Sequence, residues 1–524
     1  MFEENLIIKD WRKIDLTFGL IYPNTYKMGM SSYSIRLLYF MINSNPGYAC
    51  ERFFLPENVK YPASDDNSSI NRIRSIENRF LPTEFDILGF SVHYENDFKN
   101  ILWILEKAQI PLESETRLKD VSRNYPLVIG GGPAITSNPL PLSKVFDLFF
   151  IGDAEPNLND FFEKFLDFKS RNSTNEDFFN KVTKIEGIYI PSLDNPTNRT
   201  VLKNLNQSPT PVYQLLSKSD NNKKIFEENY FIEINRGCPF RCKFCLSSFH
   251  NYPFRNKSFD EIIKSINNGL KYSNFEKFSL IGSCISSHPR FSEICEFILN
   301  SGKHFSIPSL RIEHITPKII QILERSDIKT ITIAPETGND SLRFDLNKKV
   351  SNDSILHAIE MIHKSKIKNI KFYFLIGLPG ETDYDILEIV TLLNSIEKLG
   401  FTRNQLRVNI NPFIPKLNTP YENKCYYYLS ENLNILLDRF KTLENELKRL
   451  TSIKIKFKNP KRTINAARLQ TLISLGDSSI SELLLRYYSN GATMGALRRV
   501  EKELGFSIDN YFHKIQDGYK PWTI

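Results

Sequence analysis

Residues 233–249 read EINRGCPFRCKFCLSSF, and the order of features in this stretch decides how the chain is read. An apolar, β-prone run, YFIEIN (230–235), leads into it and predicts a strand. Cys238, Cys242 and Cys245 follow at once, in a C-x3-C-x2-C spacing. Parallel sheets and barrels gather their ligands on loops at the carboxyl ends of strands, which is where these thiols fall. Three soft thiolates suit three irons of a [4Fe–4S] cluster and leave the fourth iron open. An open position separates a catalytic centre from a closed structural one. On the residues alone, a zinc site completed by Cys284, His250 or His288 remains an alternative, although zinc modules more often repeat C-x2-C pairs.

Working outward, further strand candidates follow in KFSLIG (277–282), PSLRIE (308–313), KTITIA (329–334), NIKFYFLIG (369–377) and QLRVNIN (405–411). Helical stretches such as FDEIIKSINNGLKY and DYDILEIVTLLNSIEKL lie between them. Six such units predict a partial (βα)6 TIM-like barrel over residues 229–425, too few for a closed eightfold barrel. Upstream, DLTFGLIY (15–22), FDILGFSV (85–92), PLVIGGG (126–132) and DLFFIGD (147–153) alternate with helical runs. That pattern predicts a doubly wound, Rossmann-like α/β domain over 1–167. Residues 168–228 are polar and read as a connector with one hairpin around GIYIP (187–191). Residues 426–524 read as a mostly helical C-terminal region with a short strand, SIKIKF, and a Trp-bearing tail docked on the surface.

The 524 residues are 41% hydrophobic and 24% charged, the make-up of a globular chain of two or three domains. The net charge of +8 is spread out, without basic stripes interleaved with aromatics, so nucleic acid is not an expected partner. The opening MFEENLIIKDWRK lacks a signal-peptide pattern, and no window is apolar enough to span a membrane, so a cytoplasmic protein is expected. In such a reducing compartment, three cysteines clustered out of seven point to metal and not to disulfides.

With Phe244 just before the last cysteine, the triplet resembles the C-x3-C-x-aromatic-C signature of the radical S-adenosylmethionine (SAM) enzymes. The resemblance implies catalytic, metal-binding cysteines and a [4Fe–4S] cluster whose open iron is chelated by SAM. It also implies reductive cleavage to a 5′-deoxyadenosyl radical, a one-electron donor such as a flavodoxin or ferredoxin, and functionalisation of an unactivated C–H bond. IAPETGNDSLRFDLNKKV (333–350) and FYFLIGLPGETD (372–383) resemble the fourth- and fifth-strand segments of that family. By that likeness Phe244, Arg311, Glu336, Arg343, Lys348, Gly377 and Gly380 contact SAM. NINPFIPKLNTP (409–420) resembles the segment lining the substrate mouth.

VIGGGPAITSNPLPLSKVFDLFFIGDAEP (128–156) resembles the cobalamin-binding domains of the same superfamily, which nominates Gly130, Gly131, Gly132, Gly152 and Glu155 for a corrin. Nearly the whole chain resembles one group of B12-binding-domain radical SAM proteins of uncharacterised reaction. One departure stands out: YPNTYKMGMSSYS, after the first strand, lacks the cobalt-ligating histidine of many cobalamin proteins. His93 lies at another strand end and reads as a structural hydrogen-bonder. The resemblance therefore implies a transferase-like radical reaction, with cobalamin-dependent methyl transfer as one form of it. Two alternatives are methylthiotransferase-like chemistry, which needs a second cysteine triplet where this domain has only Cys50, and a zinc-bound nucleic-acid module. Cys284 reads as a buried structural thiol, with hydrogen donation as its functional alternative.

Overall fold

A computed structural model describes residues 2–63, 73–120, 125–171, 174–218, 229–455 and 459–524. The chain forms two compact units. The first is built from residues 1–228, 472–508 and 520–524, the second from 229–471 and 509–519. Residues 426–524, read as a region of their own, are thus shared between the units.

The first unit holds a six-stranded sheet: β1 (Leu16–Tyr22), β2 (Tyr48–Phe54), β3 (Ile87–Ser91), β4 (Leu127–Gly131), β5 (Leu148–Phe150) and β6 (Ile188–Tyr189). The order is β2-β1-β3-β4-β5-β6, with β1 to β5 parallel and β6 antiparallel to β5. This is the flavodoxin-like variant of a doubly wound sheet, and its chain direction switches between β1 and β3. The expected α/β class holds, with two corrections. GIYIP is no hairpin: Ile188 and Tyr189 form the antiparallel edge strand, where they cover Phe149 and Phe150. The expected connector also carries a helix, Asn175–Val182, whose Phe178, Phe179 and Val182 are buried in the core. Part of the connector, 219–228, lies outside the described residues.

The C-terminal tail docks as expected: Trp522 is buried against Tyr189, with ring centroids 4.9 Å apart. The helix Ser479–Ser489 also packs into this unit through Ile480, Leu483 and Leu484. Tyr488 hydrogen-bonds the Glu106 carboxylate on the helix Phe98–Lys107.

The second unit carries β7 (Asn229–Glu233), β8 (Lys277–Ile281), β9 (His304–Ser306), β10 (Thr330–Glu336), β11 (Asn369–Ile376), β12 (Leu406–Pro412) and β13 (Ile453–Ile455). All neighbours are parallel, in the runs β9-β8-β7 and β10-β11-β12-β13. Leu310 N–H bonds Thr332 O at 3.3 Å and ties the loop after β9 to β10. The six strand–helix units of a TIM-like partial barrel are present, followed by β13. The third strand is HFS (304–306) and not PSLRIE, which forms the loop beyond it and a short turn at Ile312–His314.

The intervening helices start where side chains satisfy their free N–H groups. Thr316 caps Pro317–Arg325, Ser351 caps Asn352–His363, and Thr382 and Asp385 form a reciprocal box at the start of Asp383–Glu397. Among the described residues no helix is long and apolar enough to cross a membrane.

A cysteine-lined cavity at the carboxyl ends of the strands

The cysteine loop is fixed at both ends. Asn235–Arg236 pairs antiparallel with Arg255–Asn256 and closes the base of the loop. Gly237, at φ +83°, turns the chain where a Cβ would come within 2.3 Å of Asn251 O. Arg241, also left-handed, holds its guanidinium over the rings of Phe249 and Tyr252, at 5.3 and 5.2 Å. The loop is also gripped from across the barrel. Asn347 donates from Nδ2 to Phe240 O and Arg241 O, both at 3.0 Å, and Lys243 N–H bonds Leu346 O at 2.9 Å. Phe244 packs on the cluster Leu342, Leu346, Leu378, Phe413 and Tyr421.

Cys238, Cys242 and Cys245 line one cavity of about 460 Å³, together with Phe244, Arg311, Glu336 and Lys348. Cys238 and Cys245 are half-buried and Cys242 is buried. The Cys238 thiol is pulled down to about 6, first by a hydrogen bond from Cys284, against the opposing effect of burial. Burial pushes Cys242 up, opposed by the positive charges of Lys348 and Arg311, and pushes Cys245 up against hydrogen bonds from Ser248. Among the described residues no three of His, Cys, Asp and Glu converge on one point as ligands of a single ion. Thiolates that each bind a separate iron of a cluster need no such convergence. A loop of three thiols on the wall of one cavity beside cations is a donor set that would suit a [4Fe–4S] cluster.

Glu336 ends β10 in the left-handed region, at φ +69°, where the pairing with β11 shifts register. Such backbone strain in a side chain facing a cavity is typical of functional positions. Its carboxylate accepts from Lys348 Nζ at 2.8 Å, and both side chains are nearly buried. Arg311 lies on the loop after β9, stacked 3.6 Å over the Phe240 ring and paired with Glu313 at 2.5 Å.

Other nominated residues are placed elsewhere. Arg343 is fully buried and does not line the cavity. Its five N–H groups go to Pro335 O, Asp340 Oδ1, Val350 O, Thr337 O and Asn352 Oδ1, leaving no donor for a carboxylate. Gly377 and Gly380 line a second depression of about 440 Å³ with Asn423, Lys424 and Tyr426. Cys284 does reach the cysteine cavity. Its thiol lies 3.1 Å from Ser287 Oγ, and Asn235 Nδ2 donates to its carbonyl at 2.7 Å. Asn347 and Asn235 were not nominated from the sequence. The signal available for Asn347 was an Asn two residues past a short helix, a place suited to left-handed backbone.

In the first unit the nominated corrin positions are largely occupied by the protein itself. A Cβ on Gly132 would meet Val92 O at 2.6 Å, one on Gly152 Thr200 O at 2.2 Å, and one on Gly130 Phe149 at 2.9 Å. Only at Gly131 are the nearest atoms at ordinary contact distance. Glu155 accepts from Ser208 Oγ at 3.1 Å. A buried polar group stands instead at the β1/β3 switch point. Ser34 and Ser91 hydroxyls lie 3.1 and 3.2 Å from His93 Nε2, and Asn24 donates to Asp97 at 3.0 Å. Burial pushes His93 down to about 4, which keeps it neutral, and lifts Asp97 to about 6.

Two family models match the chain: "Radical SAM proteins, N-terminal" over residues 34–191 and "Radical SAM superfamily" over 232–393. Uncharacterized protein MJ0966 of Methanocaldococcus jannaschii is 26% identical over 502 residues, 95% of this chain and 96% of that protein. Ribosomal protein uS12 methylthiotransferase RimO of Thermosipho africanus is 24% identical over 208 residues, but the match spans only 47% of its length. The fold is similar to that of the radical SAM methyltransferase TsrM of Kitasatospora setae, solved with cobalamin and a [4Fe–4S] cluster, at 12% identity. That likeness has a TM-score of 0.52 over 78% of this chain and 77% of the other. It is also similar to the cobalamin-dependent SAM radical enzyme OxsB, at 12% identity and TM-score 0.51 over 96% and 78%.

Proposed function

Because the chain belongs to the radical SAM superfamily, we propose that it is an enzyme that cleaves SAM reductively at the Cys238–Cys242–Cys245 loop and functionalises an unactivated C–H bond. The observation that carries this reading is the placement of all three thiols, Arg311, Glu336 and Lys348 on the wall of one cavity. Bound there, a [4Fe–4S] cluster supplies the electron for cleavage and an open iron for the amino and carboxylate groups of SAM. The chain's own part is positional. Gly237 and Asn347 hold the loop against the barrel mouth. Lys348 and Glu336 present a buried charge pair for ribose hydroxyls or the SAM carboxylate. Phe244, anchored in its apolar cluster, keeps water from the cysteine wall. The electron comes from a donor such as a flavodoxin or ferredoxin. After anaerobic reconstitution the protein should hold about four irons per chain, absorb as a [4Fe–4S] protein, and release 5′-deoxyadenosine on reduction with SAM. Iron retained without cluster absorbance or 5′-deoxyadenosine overturns the proposal.

The first unit is proposed to bind cobalamin, which carries a methyl group when the reaction is a methyl transfer. Support comes from the flavodoxin-like strand order and the fold likeness to TsrM and OxsB. The residues that suit a polar ligand are Asn24, Ser34, His93 and Asp97 at the switch point, more than the glycines packed against their own backbone. Absorbance of corrin retained after purification with added hydroxocobalamin tests this, and a colourless protein refutes it. The local match to RimO favours methylthiotransfer as a second reading. That chemistry would require about eight irons per chain, whereas Cys50, the cysteine of this unit, is buried with its thiol raised by burial.

A further inference from the structure

On the barrel sheet, three cations stand directly opposite one another on adjacent strands. Lys371 of β11 is in register with Arg407 of β12, and Arg407 with Lys454 of β13. Thr332 of β10 continues the row on the other side of Lys371. Residues in register share a sheet face. The neighbouring row, Ile370, Leu406 and Ile453, takes the opposite face, and Ile370 and Leu406 are fully buried. The cations therefore share the other face: Lys371 lines the same cavity as the three cysteines, and Arg407 and Lys454 continue the row from it as exposed side chains.

The other cations of that cavity have counter-charges, Glu313 for Arg311 and Glu336 for Lys348. Lys371, Arg407 and Lys454 have no ion-pair partner among the described residues. Lys371 only rests its ammonium over the Tyr373 ring, at 4.7 Å. Like charges directly opposite in a sheet repel and destabilise it. Strands lie about 4.8 Å apart, so the row places three positive groups along roughly 10 Å, the reach of a diphosphate.

We propose that Lys371, Arg407 and Lys454 form a binding site for the phosphate-bearing part of the substrate, a row that begins at Lys371 in the cavity wall. The proposal deepens the radical SAM reading and rests on it for the word substrate. The site takes phosphate oxygens, which either a small phosphorylated molecule or a nucleic-acid backbone can present. The anion neutralises a row that the protein leaves uncompensated.

The test uses cluster-loaded, SAM-saturated full-length protein and its Lys371→Met and Arg407→Met variants. Inorganic pyrophosphate and a short single-stranded RNA are the probes, read by equilibrium binding at fixed salt. Each substitution should weaken pyrophosphate by about tenfold or more, through loss of a charge-assisted contact, while the affinity for SAM stays within about twofold. Each variant should also melt at or above the wild-type Tm without ligand, because a repulsion has been removed. RNA binding that is tighter than pyrophosphate and lost in the same variants assigns the phosphate to a nucleic-acid backbone. Wild-type protein that binds neither probe, or variants that lose SAM instead, overturns the site. If no 5′-deoxyadenosine forms but pyrophosphate binding follows the two cations, the radical reading falls and the anion site stands.

Discussion

Glu381 has one carboxylate oxygen bonded to Gly377 N–H at 2.7 Å and to Arg439 at 3.0 Å, while the other is buried without a partner among the described residues. Burial lifts its pKa from 4.5 to about 7, against the opposing pull of the Gly377 N–H and Arg439. A folded-state value above the unfolded one means that the fold favours the protonated form. The stabilisation is complete below about pH 4.5 and is lost as pH rises through about 7. The Tm should therefore fall across that window, and Glu381→Gln should flatten the fall; an unchanged slope in the variant refutes the assignment. Asn347 gives a second test at this scale. Asn347→Ala removes both clamps on the cysteine loop and places a side chain less suited to φ +59°, at a cost of about 1–3 kcal/mol. Asn347→Gly keeps the backbone conformation and loses the clamps. Lowered iron retention in both variants identifies the clamp as the cause; a loss confined to Ala points to the backbone.

Among the elements, β2 was invisible to a search for apolar runs because YACERFF carries Glu51 and Arg52 at its centre. Every residue of β2 is nevertheless buried. Arg52 Nε and N–H meet Glu77 oxygens at 2.7 Å, and Glu51 takes Trp11 Nε1 and Asn78 Nδ2. The charges are internal to the fold, so the sequence pattern of a surface segment was misleading. With both side chains at 0% exposure, Glu77→Gln should cost about 3–5 kcal/mol in denaturant unfolding, by stranding a buried guanidinium. Arg52→Met with Glu77→Leu should recover most of that loss. If the single and double variants are equally unstable, packing and not charge sets the cost. The third barrel strand was misplaced for a related reason. PSLRIE alternates like a strand, whereas HFS offers one buried apolar residue, Phe305, and is held by parallel pairing to β8 and by Ser306 meeting Ser279 Oγ at 2.9 Å.

At the scale of the whole molecule, the chain returns to its first unit over residues 472–508, rejoins the second over 509–519 and ends in the first. The helix Ser479–Ser489 fills that unit's core and offers Tyr488 to Glu106 and to Ala63 N–H. Asn138 Nδ2 donates to Gly476 O at 2.7 Å and Lys144 pairs with Glu482 at 2.7 Å. A chain ended after residue 471 should therefore lose stability in its N-terminal half, melting lower by about 10 °C or more, or failing to remain soluble. A truncated chain whose N-terminal unit melts as in the full protein would show that these contacts contribute little.

The sequence by itself determined the two strand–helix series and the cysteine triplet at a strand's carboxyl end, because these are local patterns of spacing and periodicity; the class of chemistry came from the family resemblance those motifs carry. Tertiary structure alone decided which charged residues line the cavity. Lys348 and Glu336 meet at the cavity, whereas Arg343, five positions before Lys348, has every donor taken by the backbone and by Asp340 and Asn352. It also decided that the glycines of GGGP pack against their own sheet, and that Lys371, Arg407 and Lys454, far apart in sequence, stand side by side. Which strands pair, and hence which distant residues stand opposite one another, depends on contacts between segments far apart in the chain.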